Sequence, residues 1–374
     1  GYLFYSTIRK KWVVPSVLYS ILISQKYDKY VYCVYICTKN NEQCLLMEFR
    51  TKVELPVGQY KICHSDLLML WGSCFSENMG KLLIDNKFNC DINPFGILYN
   101  PFSIAKSISL LLDKKVYSED DLRFDKGMWY SLMHHSSFSS SDKLECLNKI
   151  NSRMIEGRGT LAKAKWLIFT WGTARVYEWK ETGEIVGNCH KLPDRLFVRR
   201  LLDVDEIVSA YAALLDKIHL LNPEVQILFA VSPIRHAKDG LHGNQLNKAV
   251  LLLAIEKICQ KFSYCHYFPS YEILLDELRD YRFYADDMLH PSQLAINYIW
   301  ECFCECFFTT ETLHIMKEWQ EIKKGLDHRP FNAKSEAYYT FLSQIMLKIE
   351  RLKEKLPYLD VQNEITLCQT RLKK

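Results

Sequence analysis

Three short apolar runs, each stopped by a small or turn-forming residue, constrain this 374-residue chain more than any other feature. Residues 67–71 close on Gly72, residues 166–171 on Gly172, and residues 225–231 on Ser232 and Pro233. Runs without polar alternation suit strands covered on both faces, as in parallel sheets. Amphipathic stretches follow them. One starts at Ser76, which is placed to cap it. One spans 203–221, with Asp203 and Glu206 spaced as a capping box and Asn222-Pro223 as its stop. A third spans about 244–261, with Asn244 and Gln245 as opening residues. Residues 88–93 and 264–268 read as further strands, and 103–113 and 271–280 as further helices. Residues 175–179 and 184–187 read as a hairpin about Glu181-Thr182-Gly183, and Pro291 as the first residue of a helix reaching Phe308. The predicted fold class is α/β: a three-layer α/β/α sandwich on a mainly parallel sheet.

The two ends read differently. Beyond residue 308 charged residues interleave with Leu, Ile and Met at helical spacing, above all over 335–356. Residues 309–374 are therefore expected as a helical appendage that packs on the domain or on a second copy of the chain. At the other end, Arg9, Lys10 and Lys11 precede an apolar stretch over 12–23. It holds Pro15 and falls short of the roughly 20 residues a spanning helix needs. Regular patterning begins just after Met47. Residues 1–46 are accordingly expected as an upstream extension, with Met47 the native start and residues 47–308 the α/β domain.

Composition excludes some functions. A net charge of +4, spread evenly, is too mild to argue for nucleic acid, and no firm membrane association is expected. Fourteen cysteines scattered through apolar runs suggest reduced, buried thiols and a cytoplasmic location. Cys302, Cys304 and Cys306 point in different directions on one helix, which favours core packing over metal binding. His134, His135 and His190 lack carboxylate or cysteine partners at ligand spacing, so neither metal nor cofactor is expected.

Chemistry concentrates at two loops. In Gly72-Ser73-Cys74-Phe75-Ser76 a glycine permits a sharp bend, and the helix behind it favours an anion or a nascent oxyanion at the turn. Asp287 stands three residues before His290, on a loop closed by Pro291. It can orient one ring nitrogen and leave the other free as a base. Nucleophile, base and orienter are thus all present. Gly72, Gly172 and Ser232 fall at the carboxyl ends of their strands, where such sheets bind ligands.

These residues carry a resemblance. The segments Gly72–Ser76, 93–101 (beginning Asn93-Pro94-Phe95-Gly96), Gly172-Thr173-Ala174, Asn188-Cys189-His190-Lys191, Ser232-Pro233-Ile234-Arg235-His236 and 284–292 together resemble the GSCFA family. More distantly they resemble the SGNH/GDSL hydrolase superfamily. The resemblance covers about residues 47–308 and extends to Asp327-His328-Arg329-Pro330-Phe331-Asn332. It implies a flavodoxin-like sandwich and a Ser-His-Asp hydrolase site. The expected function is that of an esterase, an O-acyl or acetyl esterase, or an acyltransferase, with a small-molecule or carbohydrate ester as substrate. The superfamily's Asp-x-x-His pair falls on Asp287 and His290. Its Gly-Asp-Ser motif aligns with Gly72-Ser73-Cys74, placing Cys74 at the nucleophile; a shift of one residue would select Ser73. Gly96 would supply an oxyanion N–H. The superfamily's oxyanion asparagine has no match after Gly172, and Asn188 is the nearby substitute. Arg235 and His236 are expected to bind an anionic or sugar hydroxyl group of the substrate. A pocket without turnover, serving as a binding module, is the alternative.

Overall fold

The computed structural model describes residues 50–56 and 60–372. The apolar stretch over 12–23 and the start at Met47 lie outside the described residues. Every strand and helix named below falls within residues 52–374.

Five parallel strands make the central sheet: β1 (Leu68–Gly72), β2 (Cys90–Ile92), β5 (Trp166–Trp171), β8 (Gln226–Val231) and β9 (Cys265–Phe268), in the order β2-β1-β5-β8-β9. β1, β5 and β8 are buried at every position, as their unbroken apolar runs require. Two antiparallel hairpins lie outside the sheet. β3 (Arg123–Asp125) pairs with β4 (Met128–Tyr130), and β6 (Arg175–Trp179) pairs with β7 (Phe197–Leu201). The helices are α1 (Cys74–Asp85), α2 (Pro101–Leu112), α3 (Lys143–Leu161), α4 (Val204–Leu221), α5 (Gly240–Lys261), the short α6 (Ser270–Glu272), α7 (Gln293–Phe307), α8 (Thr310–Leu326), α9 (Glu336–Lys355) and α10 (Gln362–Leu372).

Strand parity sorts the core into two layers. Met69, Trp71, Leu167, Phe169, Ile227 and Phe229 pack against α2, α3, α4 and α5. Leu68, Leu70, Trp166, Ile168, Leu228 and Ala230 pack against α1 and α7. This is the three-layer sandwich. From β1 the chain steps outward to β2, then crosses back to β5 on the other side of β1. Loops leaving β1 and β5 therefore diverge, and a crevice opens between them at the carboxyl edge.

Several boundaries differ from the sequence reading. Helix α1 begins at Cys74 rather than Ser76. Ser73 is extended (φ −75°, ψ −176°) and its Oγ accepts the Phe75 N–H, so Ser73 is the cap. Ser292, not Pro291, caps α7, while Pro291 bridges back to Tyr284. Asn244 and Gln245 sit a turn inside α5. The predicted helix over 271–280 is short and runs into a π-helical turn, Ile273–Glu277. β6 takes β7 as its partner, whereas 184–187 contributes only an isolated bridge, Glu178 to Ile185.

The last three helices share their own apolar cluster, including Trp319, Ile345, Ile349 and Leu356. They fasten to the end of α1: Trp319 Nε1 donates to Asp85 O (2.8 Å), and Lys87 pairs with Glu364 (2.7 Å). No helix among the described residues is long and apolar enough to cross a membrane.

Candidate active site

A cleft of about 630 Å³ opens at this carboxyl edge, and Ser73, Cys74, Asn188, Arg235, His236 and His290 all line it. Its floor is the turn after β1. Gly72 has φ +151°, and a Cβ there would stand 2.4 Å from Thr170 O, so only glycine lets β1 lie this close to β5. Asn93 holds the turn from the side, its Oδ1 accepting the Gly72 N–H (2.9 Å).

The turn gives its two candidate nucleophiles different surroundings. Ser73 is 1% exposed. Its Oγ donates to Ser232 Oγ (3.0 Å) and accepts from Phe75, so the hydroxyl is committed to structure. Cys74 is half-buried, is the first residue of α1, and has the Tyr99 hydroxyl beside its thiol. Burial first, and then the neighbouring thiol, push the Tyr99 hydroxyl up to about 12. The first turn of a helix leaves N–H groups without intrahelical partners, and Ser73 takes only that of Phe75.

Across the cleft, His290 Nδ1 meets Asp287 Oδ2 at 2.5 Å. The other carboxylate oxygen accepts the backbone N–H of both Leu289 and His290 at 2.9 Å. These bonds, backbone ones foremost, hold the Asp287 carboxyl down to about 2, so it stays ionised at neutral pH. Among the described residues no hydrogen bond joins His290 to Ser73 or Cys74.

The remaining candidates separate. Gly96 does not line the cleft; its N–H donates to Asn93 O (2.7 Å) and its α-carbon packs on His135, which commits the expected oxyanion donor to a turn. The Gly172 N–H is taken by Tyr99 O (2.7 Å), and Gly172 instead leaves room for His236, whose Nε2 would stand 3.1 Å from a Cβ there. Asn188 Oδ1 accepts the His190 N–H, so its amide nitrogen is the donor left to offer the cleft. Arg235 lines the cleft and also bonds within the protein. Its N–H donates to Leu289 O (3.1 Å), Nη1 reaches Met288 O, and its guanidinium lies 4.1 Å from the Tyr284 ring centre. His236 is neutral at physiological pH, since burial holds its ring down to about 4.

His134 is a core residue stacked on Phe95, and His190 bonds through Nε2 to Ser131 O. Among the described residues no group of His, Cys, Asp or Glu is arranged to hold a metal ion.

One residue escapes the sequence reading. Lys248, on α5, is fully buried and donates to Gly172 O and Ser232 O, both at 2.7 Å. It thereby ties the carboxyl ends of β5 and β8 beneath the cleft. Burial lowers its ammonium to about 7. A signal for it exists: Asn244, Lys248, Leu251, Ile255 and Ile258 fall on one helical stripe, which places Lys248 on the inward face.

No curated protein sequence matches the chain. Solved structures similar to it include a family 3 carbohydrate esterase of Clostridium thermocellum, with 10% identity, 68% of this chain and 98% of that chain covered, and a TM-score of 0.31. A family 3 carbohydrate esterase from Talaromyces cellulolyticus matches at 9%, 68%, 99% and 0.31 in the same measures. An acetyl xylan esterase from Butyrivibrio proteoclasticus matches at 11%, 65%, 63% and 0.32. The sequence model described as the GSCFA family matches residues 67–303, and that of the GSCFA domain protein, C-terminal domain, matches residues 319–374. The first of these spans both the β1 turn and the Asp287–His290 loop, and the chain belongs to the GSCFA family.

Proposed function

We propose that this chain is an SGNH-like ester hydrolase or acyltransferase with Cys74 as nucleophile, His290 as base and Asp287 as orienter. The observation that carries the reading is one shared cleft: the first residue of α1 and an imidazole fixed by an ionised carboxylate line the same cavity. His290 Nε2 takes the thiol proton, and Cys74 Sγ attacks the ester carbonyl. Negative charge develops on the carbonyl oxygen, where the unpaired N–H groups of the first turn of α1 and the Asn188 amide are available donors. As the tetrahedral intermediate collapses, His290 returns its proton to the leaving alcohol and a thioester remains on Cys74. Water, or a second hydroxyl, then attacks the thioester with the same histidine as base and frees the thiol. Carbohydrate esters are the substrate class in view.

The test is labelling with iodoacetamide and with a fluorophosphonate probe, mapped by mass spectrometry. Labelling of Cys74 at pH 7 that drops at least tenfold in His290→Ala is expected. Labelling indifferent to His290 would transfer the argument to a second reading, a binding pocket without turnover. That reading is favoured by the absence of a hydrogen bond between His290 and either candidate nucleophile among the described residues.

A further inference from the structure

We propose that the wall of the cleft formed by β6 and β7 is a subsite for an anionic group, a carboxylate or phosphate carried by the molecule whose ester is cleaved. The proposal deepens the hydrolase reading by naming a substrate class and rests on it only for the word substrate.

The antiparallel register sets Tyr177 opposite Arg199, with Arg175 two residues before Tyr177. Side chains two apart on a strand, and directly opposed across a ladder, share one face. Arg175, Tyr177 and Arg199 therefore form a single surface, and all three line the cleft. Lys191, Arg235 and Lys238 line it too, so five basic side chains meet only two carboxylates, Asp194 and Asp239. That excess is unlike the chain as a whole, where charge is nearly balanced.

The excess is also held in place. Asp239 is nearly buried, with a side chain 4% exposed, and it takes both guanidinium groups: Arg199 Nη1 at 2.5 Å and Arg175 Nε at 3.3 Å. One carboxylate shared by two fixed cations orients them and neutralises half of their charge. Arg175 Nε and Arg199 Nε are buried and make no hydrogen bond, the contact of Arg175 with Asp239 being an ion pair without hydrogen-bond geometry. Both side chains are nonetheless 28% exposed, so the guanidinium N–H groups other than Nε are the donors that an oxyanion in the cleft can reach. Lys238 is already engaged by Tyr177 Oη (2.9 Å) and, more loosely, by Asp194 (3.7 Å). Arg235 is engaged by the Met288 carbonyl. Lys191 is exposed and, among the described residues, has no hydrogen bond or ion pair. Arg175, Arg199 and Lys191 are thus the groups left for a ligand, and guanidinium pairs donate to carboxylate and phosphate alike.

Calorimetric titration of the full wild-type chain with glucuronate, glucose 6-phosphate and glucose at low salt tests this. None of the three is an ester of the kind the site would cleave, so the result does not depend on turnover, and a failed labelling experiment would not decide it. The expected result is binding of one or both anions at least tenfold tighter than glucose, weakened about tenfold by Arg199→Gln and about threefold by Lys191→Gln. The tighter anion then distinguishes a carboxylate subsite from a phosphate subsite. Arg199→Gln removes a structural ion pair and its fold is checked by thermal melting; Lys191→Gln, exposed and unpaired among the described residues, reports without that complication. Equal affinity for glucose and the anions, no binding of any of the three, or anion binding unchanged by Lys191→Gln would overturn the proposal.

Discussion

Ser73 and Cys74 are neighbours with related chemistry, and the fold gives them different work. One backbone step separates a cap from the first residue of a helix. The cap's hydroxyl is drawn to Phe75 and Ser232, while the following thiol is left facing the cleft. Ser73→Ala should therefore cost about 1 kcal/mol of stability, the usual worth of an N-cap, and leave Cys74 labelling in place. Cys74→Ala should leave stability nearly unchanged and abolish both labelling and turnover. Chemical denaturation and probe labelling of the two variants check this. The sequence cannot choose between them, because the choice depends on where the chain turns from extended to helical, and the apolar pattern of α1 is silent to within a turn. Lys248 extends the lesson to charge. Its folded value, about 7, lies below that of a free lysine. Between pH 7 and pH 10 the unfolded chain therefore holds a proton that the folded chain has released, and stability rises with pH across that window. The burial cost is greatest below pH 7, on the order of 5 kcal/mol. The difference in unfolding free energy between wild type and Lys248→Met should thus grow in favour of wild type from pH 7 to pH 9, as read by urea denaturation at both values.

Among the elements, the loop bearing Asp287 and His290 is the one whose shape would decide the proposed chemistry. It is clasped on several sides: Tyr284 bridges Pro291, Ala285 N–H donates to His290 O (2.8 Å), and Arg235 grips the Met288 and Leu289 carbonyls while stacking on Tyr284. From sequence Arg235 reads as a substrate contact, and it does line the cleft; its bonds also suit a latch for this loop. The two roles predict different kinetics. A latch sets how often His290 is in position, so Arg235→Ala should lower kcat about tenfold with a small change in KM, and should speed hydrogen exchange over 285–290. A raised KM with kcat intact would restore the substrate-binding role. Strands β1, β5 and β8 are legible in sequence because burial on both faces leaves almost only apolar residues, Thr170 and Gln226 being the exceptions. The β6–β7 pair is not, since β7 reads Phe197-Val198-Arg199-Arg200-Leu201 and its partner is fixed by long-range pairing rather than by a local turn. Helix α3 is hidden for a different reason. Gly157 and Gly159 lower its intrinsic propensity, and Gly157 is kept because α3 approaches Pro94, 3.2 Å from where a Cβ would stand.

At the scale of the whole molecule, burying polar groups beneath a ligand edge ties stability to pH. His134 and His236 are both held neutral by burial, at about 3 and about 4, against 6.5 for a free imidazole. Below pH 6.5 the unfolded chain takes up protons that these two rings refuse, so each group's contribution is complete above that value. It is lost progressively as pH falls, down to the folded values. Between pH 7 and pH 5 each ring should remove about 2 kcal/mol, together a large share of the roughly 5–15 kcal/mol typical of a domain. None of this is visible in sequence, where His134 shows no more than a lack of ligand partners; the ring is stacked 4.5 Å from Phe95 with Nδ1 bonded to Ser131 Oγ. An aromatic ring without a proton to gain would fill that place. His134→Phe forfeits the Ser131 bond, worth about 1 kcal/mol, and should be less stable than wild type at pH 7. At pH 5, where wild type has lost about 2 kcal/mol to this histidine alone, the order should reverse. Urea midpoints of both proteins at pH 7 and pH 5 read the crossing directly, and parallel curves would mean that His134 takes up its proton in the folded state as readily as in the unfolded one.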